Sequence, residues 1–163
     1  MRIGTRASSW KVDVDNTAAA PSPPSVPLGR TKFETELAVR PDDIDLFQHV
    51  HASRYIDYVF AARYDQMARC YGMAWEEFTK LGLAWVMRTA WLEFKRPLRL
   101  GDRFVVRTWV EAAFKDGVQV NFEIVKSVNR KLCCDGHIHY TMVRADTGRA
   151  EKIPDWIIAK YAV

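Results

Sequence analysis

The stretch "RPDDIDLFQHVHASRYIDYV", Arg40 to Val59, decides how this chain is read. Between Asp42 and His51 it packs three carboxylates (Asp42, Asp43, Asp45) and two histidines (His49, His51). Just upstream, "FETELAV" (Phe33–Val39) places Phe33, Thr35, Leu37 and Val39 on one side, the alternation of a half-buried strand. Pro41 closes that strand, because proline cannot donate to a ladder. Downstream from Ala52, Ile56, Phe60, Met67 and Tyr71 recur at spacings of four and seven, one face of a helix of about five turns. Gly72 is the expected terminator. The charged stretch therefore links a strand to a long helix.

The rest of the chain extends that frame. A short helix is expected over "AWEEFTKLG" (Ala74–Gly82), and strands after it. These are "LAWVMRTAWLEF" (Leu83–Phe94), "RFVVRTWVEAA" (Arg103–Ala113), "GVQVNFEIVKSV" (Gly117–Val128) and "KLCCDGHIHYTMVR" (Lys131–Arg144). Four strands in series with short connections can pair as an antiparallel meander. One long helix is then what covers the apolar face of the sheet. This is an α+β chain.

Composition limits the function. The 163 residues are a prior for one domain. Residues 1–30 hold four of the seven prolines, in "AAAPSPPSVP", and offer little to bury. They are expected to form a loosely packed or disordered tail, with the folded domain over 31–163. The formal charge of +4 is mild, and the tail supplies about half of it, which argues against a nucleic-acid partner. One basic cluster, "FKRPLRLGDR" (Phe94–Arg103), suits the phosphates of a small ligand as well as those of a polymer. Three cysteines without CxxC spacing fit neither a disulfide framework nor a zinc site. No apolar run approaches the ~20 residues of a membrane helix, and no secretory signal opens the chain. Together these features read as a cytoplasmic protein.

The element order and motifs resemble the hot-dog fold, an antiparallel sheet wrapped around one long central helix. The specific resemblance is to its 4-hydroxybenzoyl-CoA thioesterase-like branch, which includes long-chain acyl-CoA thioesterases. That branch carries R-x-x-D-x-D-x-x-G-H-V-x-N-x-x-Y leading into the helix, with Arg40, Asp43, Asp45, His49, Val50 and Tyr55 in register here. "LEFKRPLRLGD" (Leu92–Asp102) is similar to the family hairpin F-x-x-P-L-x-x-G-D, and "GRAEKIPDWI" resembles the family's end. Two positions depart. Gln48 stands where the family has glycine, and His51–Ala52 replace an asparagine pair.

The resemblance implies a hydrolase that splits an acyl-CoA into a carboxylic acid and CoA, with medium to long fatty acyl groups preferred. CoA enters only as part of the substrate, and no cofactor or metal is implied. Thioester hydrolysis needs a base or nucleophile and donors for the oxyanion. A helix start supplies free N–H groups and a positive dipole end. By resemblance Asp45 is nucleophile or general base; His51, a departure from the family, is a candidate for orienting water as a neutral imidazole at the helix start. Gln48, His49, Val50, Ala52, Ser53 and Tyr55 then form the oxyanion and substrate site, with the Ala52 and Ser53 N–H groups as donors. Lys95, Arg96 and Arg99 are candidates for the CoA phosphates. The plain readings stand beside these: Asp45 as a turn residue, His51 as a surface histidine, the basic run as a solvated face. Asp42 and Asp43 read as solvated or capping. The family's sites lie between subunits, which implies a homodimer or homotetramer. A non-catalytic acyl-CoA or acyl-carrier binding module on the same fold is the alternative function.

Overall fold

A computed structural model describes residues 28–163. The expected tail, residues 1–30, therefore lies almost wholly outside the described residues. Within them, Leu28 packs against the core and Arg30 pairs with Glu111 at 2.7 Å.

Five strands form one antiparallel sheet: β1 (Phe33–Ala38), β2 (Leu83–Phe94), β3 (Arg103–Ala113), β4 (Gly117–Lys126) and β5 (Leu132–Arg144). Their order is β1-β3-β4-β5-β2. The meander expected of the last four strands is thus realised only over β3, β4 and β5. The "FKRPLRLGD" connection does not make β2 and β3 neighbours. β2 crosses to the far edge and pairs with β5, while β1 takes the place beside β3.

Helix α1 spans Arg54–Arg69, 16 residues against the expected run to Gly72. Gly72 lies beyond its end at φ +60°, the left-handed conformation in which glycine closes helices. The buried positions of α1 include Tyr55, Tyr58, Val59, Ala62 and Gln66, whereas Ile56 and Phe60 are only half-buried. The face that meets the sheet is therefore rotated from the one the periodicity marked. It packs against β1 and β3. Tyr58, Val59 and Ala62 meet Phe104 and Val106 of β3, Phe122 and Ile124 of β4, and Ile138 of β5 in the core.

Short helix α2 covers Trp75–Lys80. A third, α3 (Asp155–Tyr161), has no counterpart in the expected elements; it buries Ile157, Ile158 and Tyr161 over the second half of the core. Both Cys133 and Cys134 are fully buried. Neighbours on a regular strand face opposite sides, but a register shift at Ile124/Val125 breaks the alternation there. Among the described residues no helix is long and apolar enough to cross a membrane.

Candidate active site

The loop between β1 and α1 folds back on itself. A 3-10 turn (Pro41–Asp43) leads to an antiparallel bridge between Ile44 and Val50, and Asp45 N–H donates to the His49 carbonyl at 2.8 Å. The tip reverses through Gln48 at φ +60°. That is the position where the family motif has glycine, and the backbone gives the reason: a side chain is strained there. The tip residues Leu46 and Phe47 are 96% and 79% exposed.

The two central aspartates do different work. Asp43 is neither solvated nor a backbone cap, as the composition of the loop led us to expect, but 3% exposed and enclosed by partners. Arg40 Nε donates to its Oδ2 at 2.6 Å, Tyr58 Oη to the same oxygen at 2.7 Å, and Arg54 Nε lies 3.4 Å from Oδ1. Burial alone would raise its pKa. The hydrogen bonds from Arg40 and Tyr58, with the charges of Arg40 and Arg54, outweigh it and hold the carboxyl below the usual range. Burial and the bond to Asp43 push the Tyr58 phenol up to about 12.

Asp45 is half-buried, and only one of its oxygens is used. Oδ1 accepts from Phe47 N–H at 2.8 Å and from His49 N–H at 3.3 Å. Oδ2 has no hydrogen bond from the described residues, so this carboxylate is oriented by its own turn and keeps a free face. The turn reading and the chemical reading share this geometry.

The helix start follows at once. The His51 Nδ1 lies 2.9 Å from Ser53 Oγ and accepts from Ser53 N–H at 3.3 Å. An acceptor at Nδ1 places the ring proton on Nε2. Of the two N–H groups expected to face an oxyanion, that of Ser53 is thus occupied by His51. That of Ala52 donates to no acceptor among the described residues. His49 engages the loop through its backbone. Val50 and Tyr55 are in the core: Val50 N–H donates to the Leu98 carbonyl at 2.9 Å, and Tyr55 Oη accepts from Leu98 N–H at 3.0 Å. These two bonds pin the connection between β2 and β3 to the helix start.

That connection holds the basic residues. Lys95 Nζ sits 2.6 Å from Glu93 and 3.7 Å from Asp135, and Arg96 Nη1 donates to the Leu132 carbonyl at 2.9 Å. The Arg99 side chain is exposed and makes no ion pair with the described residues. His137 and His139 lie on the outer face of the sheet, stacked against Trp91 and Phe114 respectively. Among the described residues no three His, Cys, Asp or Glu side chains form a metal-holding group.

Sequence reasoning passed over a cavity of about 340 Å³ between α1, α2, β2 and the inner face of β4 and β5. Its walls are mostly apolar, among them Phe60, Met67, Phe78, Val118 and Val120, but Arg63, Trp85, Tyr140 and Tyr161 also line it. The signal was a charge on an apolar stripe, since Arg63 falls seven residues after Ile56. Burial pushes the phenols of Tyr140 and Tyr161 up to about 12, against the opposing positive charge of Arg63. Both therefore remain hydrogen-bond donors across neutral pH.

The comparisons bear on this geometry. A family model described as the thioesterase-like superfamily matches residues 39–161. The chain belongs to that superfamily. The match runs from just after β1 to the end of α3, so the loop, the helix and strands β2 to β5 are inside the superfamily region. A DHNA-CoA thioesterase from Staphylococcus aureus superposes with a TM-score of 0.73 at 20% identity, covering 79% of this chain and 89% of that one. A 1,4-dihydroxy-2-naphthoyl-CoA thioesterase from Synechocystis gives 0.72 at 17%, covering 80% and 96%. A Staphylococcus aureus protein solved in complex with CoA gives 0.70 at 17%, covering 83% and 85%. At these identities the likeness carries the fold. A search of curated proteins gave no match.

Proposed function

We propose that this thioesterase-like chain hydrolyses an acyl-CoA thioester, with the reacting carbonyl at the start of α1. The observation that carries the reading is the half-engaged carboxylate of Asp45 in the loop that leads into the unpartnered Ala52 N–H. A carbonyl oxygen at the helix start would meet an N–H donor and the positive end of the helix dipole. Asp45 Oδ2 is the atom able to attack the carbonyl or to take a proton from water. His51, with its proton on Nε2, presents a donor beside them. The apolar lining of the cavity suits a medium to long acyl chain. Arg99, exposed and in no ion pair with the described residues, is the cation of the β2–β3 connection that we assign to a CoA phosphate; Lys95 and Arg96 are already engaged. Supporting this reading are the superfamily match and the fold shared with proteins named as CoA thioesterases.

Thiol release from acyl-CoAs of graded length, with aromatic acyl-CoAs beside them, tests it. Turnover that rises with chain length is expected. Tight binding of acyl-CoA without any thiol release would instead establish the binding module.

A further inference from the structure

We infer that the cavity beside α1 takes an acyl group whose far end carries a carboxylate, with Arg63 as its counter-charge. The inference rests on the thioesterase reading for the CoA end of the substrate, but its own observation is a buried cation. Arg63 is 7% exposed and forms no ion pair with any described carboxylate. Its contacts are one hydrogen bond from Nη1 to Thr108 Oγ1 at 3.2 Å and the ring of Tyr71 at 5.3 Å. The chain pairs its less buried cations more fully. Arg107 holds Glu34 and Glu123, and Lys126 holds Asp102. A guanidinium removed from water without a carboxylate is costly, and a cavity wall is where a ligand can supply the missing charge.

The surrounding groups are donors of the same kind. Tyr140 Oη has no hydrogen bond from the described residues. Trp85 Nε1 is buried beside Tyr161 without a hydrogen bond of good geometry. All four side chains line the one cavity. A purely aliphatic tail would leave the Tyr140 hydroxyl without an acceptor and Arg63 without a counter-charge, whereas a carboxylate accepts from both and neutralises the arginine.

The placement also sets the length. Counting from Ser53, the residue just before α1, Ile56, Phe60, Arg63 and Met67 follow at spacings of three and four along one helical stripe, and Phe60, Arg63 and Met67 of that stripe line the cavity. Ten residues separate Ser53 from Arg63, a rise of ~15 Å along the axis. Short dicarboxylyl groups would not span it.

Thiol release is measured for acyl-CoAs of matched length ending in methyl, carboxylate or methyl ester, on wild type, Arg63→Met and Tyr140→Phe. At lengths that span the stripe, kcat/KM for the carboxylate is expected to exceed both neutral ends on the order of 10- to 100-fold. That ratio should fall to about one in Arg63→Met and partway in Tyr140→Phe. Equal or inverted ratios in the wild type overturn the inference while leaving the thioesterase reading intact. Calorimetry with free dicarboxylic and monocarboxylic acids separates the opposite case. Selective diacid binding lost in Arg63→Met, without thiol release from any acyl-CoA, sinks the thioesterase reading alone. The melting temperature excludes a merely structural arginine. Arg63→Met should melt no lower than wild type, because a buried unpaired charge is removed, and the diacid should raise the melting temperature of wild type only. A lower melting temperature in Arg63→Met together with no diacid effect on wild type counts against the inference.

Discussion

Tyr58 Oη donates to Asp43 Oδ2 at 2.7 Å, which ties the buried carboxylate of the loop to the second turn of α1. With Arg40 and Arg54 on the same carboxyl, this contact fixes where the loop stands over the helix. Asp43→Asn keeps the shape and removes the charge, so it should destabilise the fold by about 2 kcal/mol. The sign with pH follows from the depressed pKa of Asp43. A carboxyl whose folded pKa lies below its unfolded value contributes stability above about pH 4, and loses it as pH falls through the folded value. Denaturant titrations of both proteins from pH 7 downward should show the gap closing below about pH 4. A constant gap would mean the charge of Asp43 is not what stabilises the loop.

Gln48 supplies a second check on the same loop. At φ +60° a non-glycine residue is strained, and glycine relieves the strain at some cost in chain entropy. Gln48→Gly should gain about 0.5–1 kcal/mol, and roughly 2–4 °C in Tm for each kcal/mol in a chain of this size. Gln48→Ala keeps the strain and should gain nothing. Equal melting of the two variants would show that the turn does not hold that conformation in solution.

What could be read ahead of the structure followed from local patterning. The ends of β2 and β3 were legible to the residue, because Pro97, Gly101 and Gly117 punctuate alternating runs. The order of the strands was not, since the choice of β5 over β3 as the partner of β2 is made by tertiary packing. The α3 helix was hidden by its brevity: seven residues give barely two turns of pattern, and Pro154 ahead of it reads as a breaker. Asp45 was legible only through the family motif. Its geometry, one oxygen held by Phe47 and His49, depends on the left-handed turn at Gln48, where the residue type gave no hint. Arg63 sat in plain view on the helical stripe, but a side chain's want of a partner is a property of the whole fold.

The tail can be tested directly. We propose that residues 1–27 are dispensable, because their proline-rich composition cannot build a core. Deleting Met1–Pro27 retains Leu28, which packs on the domain, and Arg30, which pairs with Glu111. Melting temperature and thiol release should stay near those of the full chain. A large fall in either would assign the tail a place on the domain.

Strand β2 points to self-association. It is a 12-residue edge strand bonded on one side to β5, and Val86, Met87, Trp91 and Phe94 on it are 40–52% exposed. Because α1 packs over β1 and β3, the helix-side residues Met87 and Phe94 are left open near the far edge. A long apolar edge of this kind is a hazard unless another strand covers it. We propose that a second copy does so, giving a dimer at least. Light scattering at micromolar concentration should report twice the chain mass. Ala90→Lys, which puts a charge on the strand, should shift it toward one. A fully active wild-type monomer would rule the dimer out.

The decisive substitution is at Asp45. Its Oδ1 already holds the turn by accepting from Phe47 and His49, so the amide oxygen of Asp45→Asn can take over that role. Folding should survive with a change in stability of no more than about 1 kcal/mol. The other position changes from a carboxylate oxygen, which can attack or accept a proton, to an amide nitrogen, which can do neither. Loss of a working base or nucleophile costs on the order of 100-fold or more in turnover. Asp43→Asn inverts the pattern, with a larger loss of stability and a smaller loss of turnover in the fraction that remains folded. Thiol release and thermal melting on the two variants therefore separate chemistry from architecture. If Asp45→Asn hydrolyses acyl-CoA at the wild-type rate, the carboxylate is a turn residue and the catalytic group lies elsewhere.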